Sequence, residues 1–131
     1  MKKIFCFILL LILQGCSSYN LPSDFDTDKA ATIIGSYNNG SVAFEAVNGQ
    51  TLDYDHFPYQ QAINIEPGTH VFDLSYYRYS NRGTSTASAK VTAFIESGKN
   101  YSAHIKLQGG DILFFIKEID SGNEIASASS V

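Results

Sequence analysis

The sequence predicts an all-β fold, one antiparallel sandwich of seven or eight strands that follows an N-terminal signal segment. Three observations predict it. Turn-forming clusters recur at roughly 8–12-residue spacing from Ala30 onward. Residues 101–107 (YSAHIKL) alternate cleanly, with Tyr101, Ala103, Ile105 and Leu107 on one face and Ser102, His104 and Lys106 on the other. Nowhere does an apolar period of about 3.6 run long enough to make an amphipathic helix.

The strands follow in order. Residues 30–36 (AATIIGS) form a first strand, ended by Asn38-Asn39-Gly40. Residues 41–47 (SVAFEAV) run into Asn48-Gly49, a two-residue turn that readily takes positive φ at both positions. Residues 51–57 (TLDYDHF) read as a strand closed by Pro58. Residues 61–66 (QAINIE) lead into Pro67-Gly68, a pair suited to the centre of a type II turn. Residues 69–79 (THVFDLSYYRY) form a long aromatic strand, broken by Asn81-Arg82-Gly83. Residues 88–96 and 101–107 flank the turn Ser97-Gly98-Lys99-Asn100. Residues 112–119 (ILFFIKEI) are apolar on both faces at their start, as a covered strand is, and residues 124–128 add a short last strand.

The chain has 131 residues, 44% of them hydrophobic and 17% charged, which fits one folded domain rather than a disordered chain. Its 9 basic residues stand against 13 acidic ones, so no basic patch for nucleic acid is expected. Two cysteines make neither a four-cysteine zinc site nor a disulfide framework.

Lys2 and Lys3 precede the apolar run of residues 4–13 (IFCFILLLIL). That run has the length of a signal-peptide core, whereas a spanning helix needs about 20 residues. Leu13-Gln14-Gly15-Cys16 follows and resembles the lipobox of bacterial lipoproteins, with Gln14 departing from the small or β-branched residue commoner there. The resemblance implies cleavage before Cys16 and a membrane anchor of diacylglyceryl and N-acyl chains on it. Two acyl chains anchor stably where one does not. The competing reading is an ordinary secretory signal or an uncleaved helix. Ser17, where an Asp tends to retain such proteins in the inner membrane of Gram-negative bacteria, implies the outer membrane. Residues 1–15 are thus expected as a signal peptide, 16–29 as a lipidated cysteine and flexible tether, and 30–131 as the domain. Without Lys2 and Lys3, 7 basic residues face 13 acidic ones, a net charge of −6.

A second resemblance lies in the middle of the chain. Val42 to Gly49 ends in an Asn-Gly hairpin, Ile63-Asn64-Ile65-Glu66-Pro67-Gly68-Thr69-His70 carries a Pro-Gly-x-His signature, and Glu96-Ser97-Gly98-Lys99-Asn100-Tyr101 makes a further hairpin. Together these resemble small PEGA-like surface β-domains of bacterial lipoproteins over residues 42–107. The resemblance implies an immunoglobulin- or transthyretin-like sandwich in the cell envelope, without catalysis and without a cofactor.

Candidate chemistry is sparse. Asp53, Asp55 and His56 are adjacent, but a metal site needs further ligands, and a solvated edge strand or loop explains them as well. His70 and His104 lie in strands, and no G-x-S-x-G elbow accompanies them. Tyr76, Tyr77 and Tyr79 surround Arg78. Phe72, Leu74 and Tyr76 share one face, expected to be core, which turns Tyr77 and Tyr79 to solvent. Exposed tyrosines suit a protein partner or glycan stacking, against cross-strand aromatic packing that needs no ligand. The expectation is a non-enzymatic, lipid-anchored outer-membrane module on the periplasmic side. Tyr77 and Tyr79 would contact an envelope protein or, alternatively, a periplasmic glycan. A small hydrolase is the third reading.

Overall fold

The structure, a computed structural model, describes residues 18–55 and 57–131. It is all-β, with ten strands: β1 Ala31–Ile34, β2 Ser36–Tyr37, β3 Ser41–Val47, β4 Gln50–Thr51, β5 Ile63–Ile65, β6 Gly68–Ser80, β7 Gly83–Ile95, β8 Asn100–Gln108, β9 Asp111–Glu118 and β10 Glu124–Ser129. Among the described residues the helical content is one 3-10 turn, Thr27–Lys29.

Two sheets pack face to face. The first has the order β10-β9-β8-β1-β5; the second runs β2-β3-β6-β7, with β4 also on the β3 edge. Their inward side chains make one core, with Phe44, Phe72, Leu74, Val91 and Ile95 against Ile33, Ile65, Tyr101, Phe114 and Ile116. Phe44 and Phe72 meet edge to face, their centroids 5.2 Å apart. The alternation of β6 is the one expected: His70, Phe72, Leu74 and Tyr76 are buried, while Val71, Tyr77 and Tyr79 are exposed.

Several expected elements need correction. Among the described residues ten strands stand where seven or eight were expected, because the chain crosses between sheets in short pieces. The first expected strand divides at Gly35, with β1 in one sheet and β2 in the other. A Cβ at Gly35 would lie 2.2 Å from the Val42 carbonyl oxygen, so the crossing demands glycine. The first sheet is mixed, since β1 and β8 run parallel, with Ile33 opposite Tyr101. Alternation fixes the face a residue occupies, not the direction of its neighbour.

Of the strand expected over 51–57, only Thr51 belongs to a strand, β4, and residues 52–55 and Phe57 do not. Pairing ends at Thr51, apart from the Leu52 N–H donating to the Glu45 carbonyl at 3.0 Å. Beyond it the chain leaves the sheet edge and Tyr54 donates its hydroxyl to the Phe44 carbonyl at 2.7 Å. β7 begins at Gly83, not near residue 88, and pairs with β6 from Gly68↔Ile95 to Ser80↔Gly83. The polar run of residues 83–87 has no apolar alternation to announce a strand; its partner Tyr76 to Ser80 supplies the pairing.

The segment expected as a tether meets the domain early. The Tyr19 N–H donates to the Thr51 carbonyl at 2.8 Å, and the Tyr19 hydroxyl accepts from the Glu66 N–H at 2.9 Å. Its ring packs against the core. Residues 1–17 and His56 lie outside the described residues, and with them the expected signal peptide, the lipobox-like stretch and Cys16.

Candidate binding face

The second sheet turns a row of aromatic side chains outward. Tyr77 and Tyr79 come from β6, Tyr37 from β2, and Phe57 and Tyr59 from the loop 57–62 that leads to β5. Tyr59 joins the set: its centroid lies 5.3 Å from that of Tyr37 at 40° and 5.6 Å from that of Phe57, nearly parallel at 17°. The loop reaches the sheet because Gly35 leaves room for it; a Cβ there would also come within 3.0 Å of the Tyr59 Cα.

All of these rings but the half-buried Tyr59 stay open to solvent. Tyr37 is 66% exposed, Phe57 64%, Tyr77 48% and Tyr79 78%. Two open grooves flank Tyr77. One, of about 580 Å³, runs past Phe57 and Tyr59 over Ser41, Ser75, Thr86 and Ser88, with Glu45 at its side. The Glu45 carboxylate accepts from the Ser75 hydroxyl at 2.6 Å. The other, of about 400 Å³, passes Tyr37, Asn39, Arg78 and Tyr79. Stacked rings beside hydroxyl-lined grooves are a surface for large-area contact at low ordering cost.

Of this face Tyr77 and Tyr79 were expected from the sequence, and Tyr37, Phe57 and Tyr59, 18 or more residues away in the chain, were not. The one available signal was the aromatic pair flanking Pro58, read as the end of a strand rather than as a loop presenting rings.

The histidines have structural surroundings. His70 is buried, with Nδ1 2.8 Å from the Asn48 Nδ2 and Nε2 2.7 Å from the Glu66 carbonyl oxygen. An amide N–H at one nitrogen and a carbonyl at the other fix the neutral tautomer with its proton on Nε2. Asn48 Oδ1 in turn accepts from the Val71 N–H at 2.8 Å. Asn48 and Gly49 hold φ of 52° and 81°, as a two-residue hairpin turn requires. In the Glu96 to Tyr101 hairpin, the Tyr101 hydroxyl accepts from the Glu96 N–H at 2.9 Å. Lys99 reaches Glu96 at 2.8 Å and Glu118 at 3.5 Å, and the hydrogen bond to Glu96 and the two carboxylates hold its pKa above the usual lysine value. The residues of both hairpin motifs thus serve turns.

His104 sits half-buried on the outer face of the first sheet. Its Nε2 is 2.7 Å from the buried Ser102 hydroxyl, and its ring stacks on Phe115 at 5.3 Å. Burial, with the Lys117 charge nearby, pushes its pKa down. A serine and a histidine this close have the composition of a nucleophile and its base. A working triad also needs a group orienting the imidazole and a place for substrate. Here the hydrogen bond lies between the Ser102 hydroxyl and Nε2, and neither groove beside Tyr77 is lined by Ser102 or His104.

Asp53 and Asp55 are exposed, with the Asp55 N–H donating to the Gln61 amide oxygen at 2.9 Å. Among the described residues no three His, Cys, Asp or Glu side chains gather to hold a metal ion. Likewise, no helix of the described residues is long and apolar enough to cross a membrane. The chain matches no protein-family model, no curated protein and no solved structure.

Proposed function

We propose that this chain is a lipid-anchored lipoprotein of the bacterial cell envelope that acts as a non-enzymatic binding module. Its immunoglobulin- or transthyretin-like sandwich engages a protein partner through the outward aromatic face. The anchor is the diacylglyceryl and N-acyl chains on Cys16, and the place is the periplasmic side of the outer membrane. The lipobox-like Leu13-Gln14-Gly15-Cys16 supports the anchor.

One observation carries the binding role. Five aromatic side chains from three separate segments, Tyr37, Phe57, Tyr59, Tyr77 and Tyr79, converge on one sheet face, and all but the half-buried Tyr59 remain exposed. Tyrosine-rich patches of this kind are the composition of protein-interface hot spots. A second reading, a periplasmic glycan binder, is favoured by the hydroxyls of Ser41, Ser75, Thr86 and Ser88 in the groove beside the rings.

Two experiments test the proposal. A photo-crosslinking residue at position 77 in living cells is expected to give one discrete protein adduct. A heterogeneous glycan adduct transfers the case to the second reading, and no adduct removes the face from consideration. For the anchor, Cys16→Ser is expected to move the protein from the membrane fraction to the soluble one.

A further inference from the structure

We infer that the aromatic face is a membrane-distal site, held upright on a leash too short to let it fold back onto the bilayer. This rests on the lipid anchor at Cys16 proposed above. It departs from the free tether of 16–29, whose thirteen residues after Cys16, fully extended, would reach about 40 Å.

The leash is short because Tyr19 is fastened. Two hydrogen bonds, to the Thr51 carbonyl and from the Glu66 N–H, hold it, and Ser18 makes a parallel bridge with Thr51. Only three peptide steps then separate Cys16 from a fixed point on the domain, at most about 10 Å.

Glu66 lies two residues before β6, at one end of the sandwich, and Thr51, opposite Ala46, stands level with Asp73 in that strand. At the same end β7 finishes, β8 begins and β9 finishes, as the pairings Gly68↔Ile95 and Tyr101↔Glu118 require. From Asp73, level with Thr51, to Tyr79 is six residues of continuous strand, about 20 Å, and from Gly68 it is eleven, about 35 Å. Tyr79, Arg78 and the Asn81-Arg82 tip therefore stand at the opposite end, with Tyr37 and Asn39 beside them.

Charge acts in the same sense. The leashed end carries Glu66, Glu96, Glu118 and Asp120, with Lys99 bridging Glu96 and Glu118. Such an end has no attraction for anionic headgroups within a Debye length of about 8 Å. The leash, not adhesion, sets its distance. The arginines that would favour the headgroups, Arg78 and Arg82, sit at the far end, out of reach. The partner that fits this geometry is a water-soluble one approaching from the periplasm, not one embedded in the same membrane.

The test uses the lipidated chain in vesicles of phosphatidylethanolamine and phosphatidylglycerol doped with a nickel-chelating lipid. Spin labels are placed one at a time through Thr51→Cys and Arg82→Cys, since Cys16 is acylated. Strong broadening at 51 and none at 82 is expected. A ten-residue glycine-serine insertion between Ser17 and Ser18, which leaves Tyr19 docked, is expected to abolish the broadening at 51. Equal broadening at both positions, or none at either, on a chain shown by mass spectrometry to be lipidated, overturns the orientation alone. An unlipidated mature chain overturns the anchor and this inference with it.

Discussion

The two outward faces of the sandwich both carry aromatic residues, and they treat them in opposite ways. On the first sheet Phe115 is closed in by its own neighbours. The His104 ring stacks on it, and the Lys106 ammonium lies 5.1 Å from its centroid while also paired with Glu124 at 3.0 Å. On the second sheet the rings of Tyr37, Phe57 and Tyr59 pack on each other, and all of the face but the half-buried Tyr59 stays exposed. Tyr59 bridges Tyr37 and Phe57, and Tyr77 and Tyr79 face solvent. An aromatic side chain already satisfied within the fold has little surface to offer a partner. Mutually stacked but exposed rings keep their area available and have already been ordered, which lowers the cost of binding.

Breaking the core beneath both faces should have the largest effect. Phe72→Ala removes a ring with no exposed surface and is expected to cost about 3–5 kcal/mol. A urea titration followed by circular dichroism would read it. A loss much smaller than that would mean the two sheets do not share one core.

Next comes the crossing between the sheets at Gly35, on which the aromatic face depends. Gly35→Ala sets a methyl 2.2 Å from the Val42 carbonyl oxygen and beside Tyr59. It is expected to cost about 1–3 kcal/mol by overpacking. Partner crosslinking from position 77 should fall with it, because Tyr37 and Tyr59 lose their mutual placement.

The direct contrast is smaller in stability and sharper in function. Phe115→Ala should lower stability by about 1 kcal/mol, whereas Tyr79→Ala should stay within about 0.5 kcal/mol of the parent. Crosslinking should reverse that order, surviving Phe115→Ala and failing in Tyr79→Ala. Thermal melts beside a crosslinking assay decide it, and identical crosslinking losses in both variants would erase the distinction between the faces.

The smallest effect is a pH slope from the closed face. The pKa of His104 is lowered in the folded protein, so the unfolded chain binds its proton first as pH falls. Its contribution is fully present above the unfolded value near 6.5 and is lost as pH drops below that toward the folded pKa. His104→Gln should therefore lose less melting temperature between pH 7.5 and pH 5.5 than the parent. A larger loss in the variant would reverse the sign of the argument.

Legibility in the sequence divided along physical lines. Alternation put Phe72, Leu74 and Tyr76 inside and Tyr77 and Tyr79 outside, and the structure agrees, because a strand's period of two depends on the strand alone. The Asn48-Gly49 turn was readable for the same reason: its positive φ values are a local property. Residues 51–57 misled because Leu52 and Tyr54 mimic a strand face. In the fold Leu52 is buried, and the phenol of Tyr54 bonds to the Phe44 carbonyl from an irregular loop, where burial and the Glu45 charge push its pKa up. The fastening of Tyr19 was invisible, since its partners are 32 and 47 residues away and nothing in a polar acidic stretch announces them.

The sequence by itself determined the all-β class, the inward face of the long strand and the exposure of Tyr77 and Tyr79, each a consequence of short-range periodicity and turn chemistry. Only the tertiary structure decided that β1 lies parallel to β8, that Tyr37, Phe57 and Tyr59 complete the aromatic face, and that Tyr19 fastens the N-terminal segment. These depend on which distant segments share an edge or a surface. That choice is made by the packing of two sheets around one core, and no local pattern carries it.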